Sequence, residues 1–155
     1  MKLFNHVTSI FLALGLMASA GLTRAEGHPE TPPGPPPGVN LVDAQQVQAL
    51  QAKGAILVDA RQASEFGEGT IKGAISVPYD PEKSVKGPNF DPKQDKFEFA
   101  GKLKDKNAQI VVFCNAGTCF KSYKAAVVLE KNGYKNVHWY RAGFPDWKAK
   151  KLPIE

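Results

Sequence analysis

Two cysteines and three histidines are all that the 155 residues contain, and these shortages exclude whole classes of chemistry. Two cysteines do not make a disulfide scaffold, so any folded unit must rest on an apolar core, which a chain of this length is able to bury. His6 and His28 lie in segments with little to fold around them, which leaves His138 alone. A Cys-His catalytic pair or a zinc site therefore has little to draw on, and neither a metal nor another cofactor is expected. No glycine-rich nucleotide fingerprint occurs. Lysines are scattered, without an aromatic-interleaved basic stripe, so nucleic acid is not an expected partner. Nor does any apolar run reach the length of a bilayer span. The longest, Ile10 to Met17, is interrupted at Gly15 and flanked by Ser9 and Ser19.

That run belongs to an export signal. Lys2 precedes it and small residues follow, so residues 1–25 are expected to be a signal peptide that is removed, with cleavage after Ala20 or after Ala25. The mature protein is then exported, periplasmic or secreted, and is not stably inserted in the membrane. Losing Lys2 and Arg24 with no acid lowers the formal net charge of +5 by two. The mild excess that remains suits a small anionic substrate. Residues 26–38 carry Pro29, Pro32, Pro33, Pro35, Pro36 and Pro37 and almost nothing apolar. They read as a semi-rigid tether, serving as a spacer or as a docking peptide for a proline-recognising protein partner.

The folded unit is expected over residues 39–155. Asp43 and Gln46 have capping-box spacing for a helix ended by Gly54. Ala55 to Val58 is an unbroken apolar run of strand length, suited to a parallel strand buried on both faces. A short helix over Gln62 to Phe66 and a brief strand over Ala74 to Val77 follow. Tyr79 and Asp80 open a polar insertion that extends to residue 96, and a helical turn or two is expected around Phe97 to Leu103. The strongest strand, Gln109 to Phe113, leads into Cys114. Ser122 to Asn132 reads as a helix closed by Gly133, and Val137 to Tyr140 as the next strand. Strands alternating with helices imply an α/β fold, a central parallel sheet with helices on both faces. Sites in such sheets lie beyond the carboxyl ends of the strands, where Cys114 falls.

A cysteine between a buried strand and a helix start faces backbone N–H groups that lack helical partners and the positive end of the helix dipole. Both favour a nucleophilic thiolate. The following residues, Asn115, Ala116, Gly117, Thr118, Cys119, Phe120 and Lys121, form a loop able to curl around an anion, with Gly117 for the bend and Lys121 as a cation. A buried structural cysteine is the alternative reading of Cys114. Asp59, Arg61 and Glu65 either act on substrate or pin the loop after their strand as an ion pair. Trp139 and Trp147 read as packing residues.

Together these segments resemble the rhodanese family. Ile56-Leu57-Val58-Asp59-Ala60-Arg61, Glu65-Phe66 and Gly73 through Pro78 are similar to its amino-terminal motif. Ile110 to Cys114, Ser122 to Ala126, Gly133-Tyr134, Asn136-Val137 and Gly143 through Trp147 are similar to its catalytic-loop and carboxy-terminal motifs. The resemblance implies a sulfurtransferase in which Cys114 takes sulfane sulfur from a small anionic donor such as thiosulfate, becomes a persulfide, and passes the sulfur to a thiol or cyanide acceptor. Two departures stand out. Thr70 occupies a position where the family often has histidine, and Lys121 lies seven residues after Cys114, farther than the family's usual basic residue. The chain is most similar to exported members whose loop opens with Cys-Asn and holds a second cysteine.

Three other readings remain open at this level. Cys114 and Cys119 have a spacing that allows a redox-active disulfide if their Cα atoms approach within about 7 Å. A phosphatase loop wants an arginine six residues after its cysteine, where Phe120 stands. A sulfur-carrying or protein-binding module without catalysis is the third.

Overall fold

The computed structural model of the chain describes residues 30–80, 87–91, 93 and 95–155. The expected signal peptide, the first four residues of the tether and part of the 80–96 insertion lie outside the described residues. Eleven elements follow in order: β1 (Asn40–Leu41), α1 (Ala44–Ala52), β2 (Ile56–Asp59), α2 (Ala63–Gly67), β3 (Ile75–Ser76), β4 (Tyr79–Asp80), β5 (Lys96–Phe97), β6 (Gln109–Phe113), α3 (Phe120–Lys131), β7 (Asn136–Tyr140) and α4 (Gly143–Ala149). Asp43 and Gln46 form the expected capping box, each side chain accepting the other's backbone N–H at 2.8 and 2.9 Å.

Five strands make one parallel sheet in the order β1-β7-β6-β2-β3. The two-residue period of β6 sends Ile110 and Val112 to one face and Val111 and Phe113 to the other. On the first face Ala125, Ala126, Val128 and Leu129 of α3 close over Val58, Val137 and Trp139. On the second, Ala44 and Val47 of α1 and Phe144 and Trp147 of α4 cover Leu57 and Tyr140. Because β6 is central and buried on both sides, its last residue, and hence Cys114, is fixed by two cores at once.

Four details differ from the sequence expectation. Tyr79 and Phe97, read as the edge of an insertion and the start of a helical turn, are paired across the antiparallel β4–β5 ladder. Their rings stack with centroids 5.7 Å apart, a long-range contact that local periodicity does not show. Helix α3 starts two residues early, at Phe120. Helix α4 lies where the sequence expectation assigned no element; Pro145 stands in its first turn, where the missing N–H is not needed. Finally, the tether residues 30–38 carry a buried threonine, Thr31, packed on the domain.

Asp95 and Lys124 bring the far end of the insertion onto α3 through an ion pair of 3.3 Å with both side chains buried. Breaking one partner of such a pair strands the other charge. Lys124 is thus a structural residue of the helix that starts at the cysteine loop.

Candidate active site

Cys114 is 1% exposed at the carboxyl end of β6. Its carbonyl accepts the N–H of Phe144 at 2.9 Å, tying the first turn of α4 to the cysteine backbone. The two cysteines are joined in a disulfide with their Cα atoms 6.4 Å apart, within the limit of about 7 Å that their spacing required. Between them Ala116 takes a left-handed conformation, φ 54°, and the Cys119 N–H donates to its carbonyl at 3.2 Å. The tight bend therefore falls at Ala116, not at Gly117. Gly117 is small for another reason: a Cβ there would lie 2.9 Å from the Arg141 guanidinium.

Around the sulfur, Ser122 Oγ lies 3.0 Å from Cys114 Sγ and accepts the indole N–H of Trp139 at 3.0 Å. Bonded to Cys119, the Cys114 sulfur carries no proton, so in this contact the serine hydroxyl is the donor. Cys119 is the N-cap of α3 and makes no side-chain cap bond, so the first N–H groups of that helix face the loop without a side-chain partner. Trp139 thus has a polar duty beyond the packing role expected of it.

Asn115 reaches the other way and donates its amide to Glu65 of α2. Burial works to raise the Glu65 pKa, yet the Asn115 bond, the Gln62 N–H and the charges of Lys121 and Arg61 hold it below the ordinary glutamate value. A depressed carboxylate pKa contributes stability above the unfolded value and loses it as pH falls through the folded one. Glu65→Gln should therefore cost about 1 kcal/mol in urea unfolding at pH 7, the worth of one charge-assisted bond at a half-exposed site. The gap from wild type should close as the pH falls through the lowered folded-state range of this carboxylate. A gap that persists at low pH would show that the carboxylate charge is not what holds Asn115.

Asp59 and Arg61 make a buried pair, with Arg61 Nη2 2.6 Å from Asp59 Oδ2 and Nε 3.0 Å from Oδ1. Thr70, which stands where a histidine was noted as absent, donates its hydroxyl to Asp59 at 2.8 Å, and Arg61 caps the Gly69 carbonyl at 2.7 Å. The Arg61 guanidinium also lies 4.2 Å above the Phe144 ring. These contacts are those of a support, with the arginine's charge neutralised. A cavity of about 440 Å³ opens beside it, lined by Arg61, Glu65, Glu68, Asn115, Phe144 and Lys148 among others.

The sequence family described as Rhodanese-like domain matches residues 43–150. The chain belongs to that family. Among rhodanese-like relatives, the thiosulfate sulfurtransferase GlpE of Haemophilus influenzae is 31% identical over 114 residues, covering 74% of this chain and 92% of that protein. The human single-domain sulfurtransferase TSTD1 shares the fold with a TM-score of 0.53 at 24% identity, over 72% of this chain and 97% of that one. A Bacillus halodurans protein of known structure shares it with a TM-score of 0.56 at 24% identity, over 75% and 76% of the two chains.

Within this rhodanese-like site the expected loop residues divide. Cys114, Asn115, Ala116, Gly117, Thr118 and Cys119 form the loop, with Thr118 exposed at its tip. Phe120 and Lys121 instead open α3. Phe120 is buried, and Lys121 Nζ sits 3.9 Å from Glu65. Sequence reasoning did not single out Ser122, Thr31 or Arg141 for the site. Ser122 was detectable as a hydroxyl at the start of the helix that follows the cysteine loop; the other two are remote in sequence and carried no local signal.

Proposed function

We propose that this rhodanese-like chain is a sulfurtransferase that moves sulfane sulfur from a small anionic donor such as thiosulfate to a thiol or cyanide acceptor, with Cys114 as nucleophile. The placement of the Cys114 sulfur against the Ser122 hydroxyl, between β6 and α3, carries this reading. The Haemophilus relative named for the same activity supports it. Turnover starts from the reduced pair. The Cys114 thiolate attacks the outer sulfur of thiosulfate, the S–S bond of the donor breaks, and sulfite leaves with the electron pair. Loop N–H groups and the start of α3 favour the departing anion and the persulfide that remains. Acceptor attack on the outer persulfide sulfur then restores the thiolate. Cys119→Ser protein, which has no resolving thiol, should gain the mass of one sulfur on Cys114 when it is reduced and treated with thiosulfate. A gain elsewhere, or none, would sink the assignment.

The Cys114–Cys119 bond favours one further reading, in which Cys119 is a resolving thiol. Attack of Cys119 on the inner sulfur of the Cys114 persulfide would release hydrosulfide and close the observed disulfide, silencing the site until two equivalents of a small thiol reopen it. Cys119→Ser should keep reductant-supported turnover within several-fold of wild type and lose the inactivation that follows oxidant treatment. Equal inactivation of the two proteins would make Cys119 a bystander. We further propose that the protein acts outside the cytoplasm, where such a pair can stay oxidised, a reading supported by the Lys2 and Ile10–Met17 pattern. No helix among the described residues is long and apolar enough to cross a membrane.

A further inference from the structure

Thr31 is 2% exposed within a proline-rich stretch that is otherwise mostly open to solvent. Its backbone N–H and its hydroxyl both donate to the carbonyl of Gly117, at 2.7 and 2.6 Å. Arg141, the first residue after β7, donates Nε to the Thr31 hydroxyl oxygen at 3.0 Å and Nη2 to the Thr31 carbonyl at 3.1 Å. The same Nη2 lies 3.4 Å from the carboxylate of Glu30. The guanidinium is pressed so closely on Gly117 that no other residue fits there without displacing it. Three segments remote in sequence thus meet on the middle peptide of the cysteine loop, through a relay in which Arg141 donates to Thr31 and Thr31 donates to Gly117.

We propose that Thr31 and Arg141 are positioning residues that clamp the Cys114 loop, so that the proline-rich segment is part of the active site. The inference rests on Cys114 being the nucleophile. Ala116 occupies a backbone region that costs free energy for a residue with a side chain, and it stays there only where its surroundings enforce it. In the oxidised protein the disulfide helps to enforce it. Reduction by two equivalents of a small thiol leaves two protein thiols and one small-molecule disulfide, and the covalent closure is gone when the thiolate has to work. The Thr31 and Arg141 bonds involve neither sulfur, so they survive reduction and keep the loop closed. Coupling of this kind is reciprocal. A clamp that holds the loop shape compatible with the disulfide also favours disulfide closure. For the reduced enzyme, a loop that must first be ordered binds its donor with an apparent Kd that rises in inverse proportion to the fraction already ordered.

The test uses the full mature chain as wild type, Thr31→Val, Thr31→Ser and Arg141→Gln. Each is equilibrated in buffers of stepped reduced-to-oxidised glutathione ratio, alkylated, and weighed for the Cys114–Cys119 bond. Thr31→Val removes the hydroxyl at constant size and keeps the N–H bond, whereas Thr31→Ser keeps both. Thr31→Val and Arg141→Gln are expected to need a ratio about two- to tenfold more oxidising for half-closure, the effect of losing one or two hydrogen bonds, with Thr31→Ser close to wild type. The thiosulfate KM of the reduced proteins should rise by a similar factor while kcat stays within about twofold. A Thr31→Val protein that titrates like wild type overturns the clamp, as does a Thr31→Ser protein that titrates like Thr31→Val. A shifted titration with an unchanged KM overturns the positioning role. Absence of thiosulfate turnover in the wild type counts against the sulfurtransferase reading alone, because the glutathione titration requires no sulfur transfer and still decides the clamp.

Discussion

Replacing Cys114 by serine is expected to lower thiosulfate-to-cyanide sulfur transfer by at least about 10³-fold while leaving the fold in place, because an alcohol does not form the persulfide that splits the reaction into two steps. The substitution changes little volume at a position 1% exposed, and a serine hydroxyl is able to keep the contact that Cys114 makes with Ser122 at 3.0 Å. Both proteins should be assayed under reductant, so that the lost disulfide is not mistaken for the lost nucleophile. Thiocyanate formation by the variant near the wild-type rate would remove Cys114 from the mechanism. A near-native urea midpoint under reductant separates loss of chemistry from loss of structure.

Gly143→Ala is expected to be the most damaging single methyl in the chain. Gly143 has φ 65°, and a Cβ built on it would lie 2.1 Å from the Cys114 carbonyl oxygen and 2.9 Å from the Ala116 nitrogen, both backbone atoms. Neither is free to move, since Cys114 is anchored by β6 and the first turn of α4 donates to that same carbonyl. We expect destabilisation of about 3 kcal/mol or more in urea unfolding, with sulfur transfer lost beyond what the unfolded fraction explains. Gly133→Ala provides the comparison. Gly133 also has positive φ, 84°, but its Cβ would meet only the flexible Lys106 side chain at 3.9 Å. That variant should cost about 1 kcal/mol and leave turnover intact. If both variants cost the same, backbone strain and not collision with the cysteine loop sets the penalty at Gly143.

Much of the frame is legible in the sequence because it is written in local patterns. The Asp43–Gln46 capping box, the apolar runs of β2 and β6 and the glycine after α3 each carry their signal within a few residues, and together they place Cys114 at a strand end. Local reading failed where long-range contact decides. A two-residue strand such as Lys96–Phe97 exists only because Tyr79 pairs with Phe97. Helix α4 carries little local signal, because Gly143 and Pro145 suit its first turn only in the context of packing on the cysteine backbone. The end of the loop was misjudged because Cys119, not Lys121, closes it. Gly117 was assigned to bending, a reasonable default for glycine, when its smallness accommodates Arg141, which follows β7 and is remote from it in sequence.

The contact between Thr31 and Arg141 spans 110 residues of chain, and among the described residues β1 pairs with β7 alone, with Asn40 aligned to His138. The earlier-made segment therefore waits for a segment made about a hundred residues later. Contacts of such sequence separation form late and slow the search for the native state. A growing polypeptide that has already produced Cys114 but not yet residues 136–141 has no edge for β1 and no guanidinium for Thr31. Its Cys114 sits in a loop without an enforced shape. A product that stops before residue 136 carries the Cys114 thiol without the strand and the guanidinium that hold its loop.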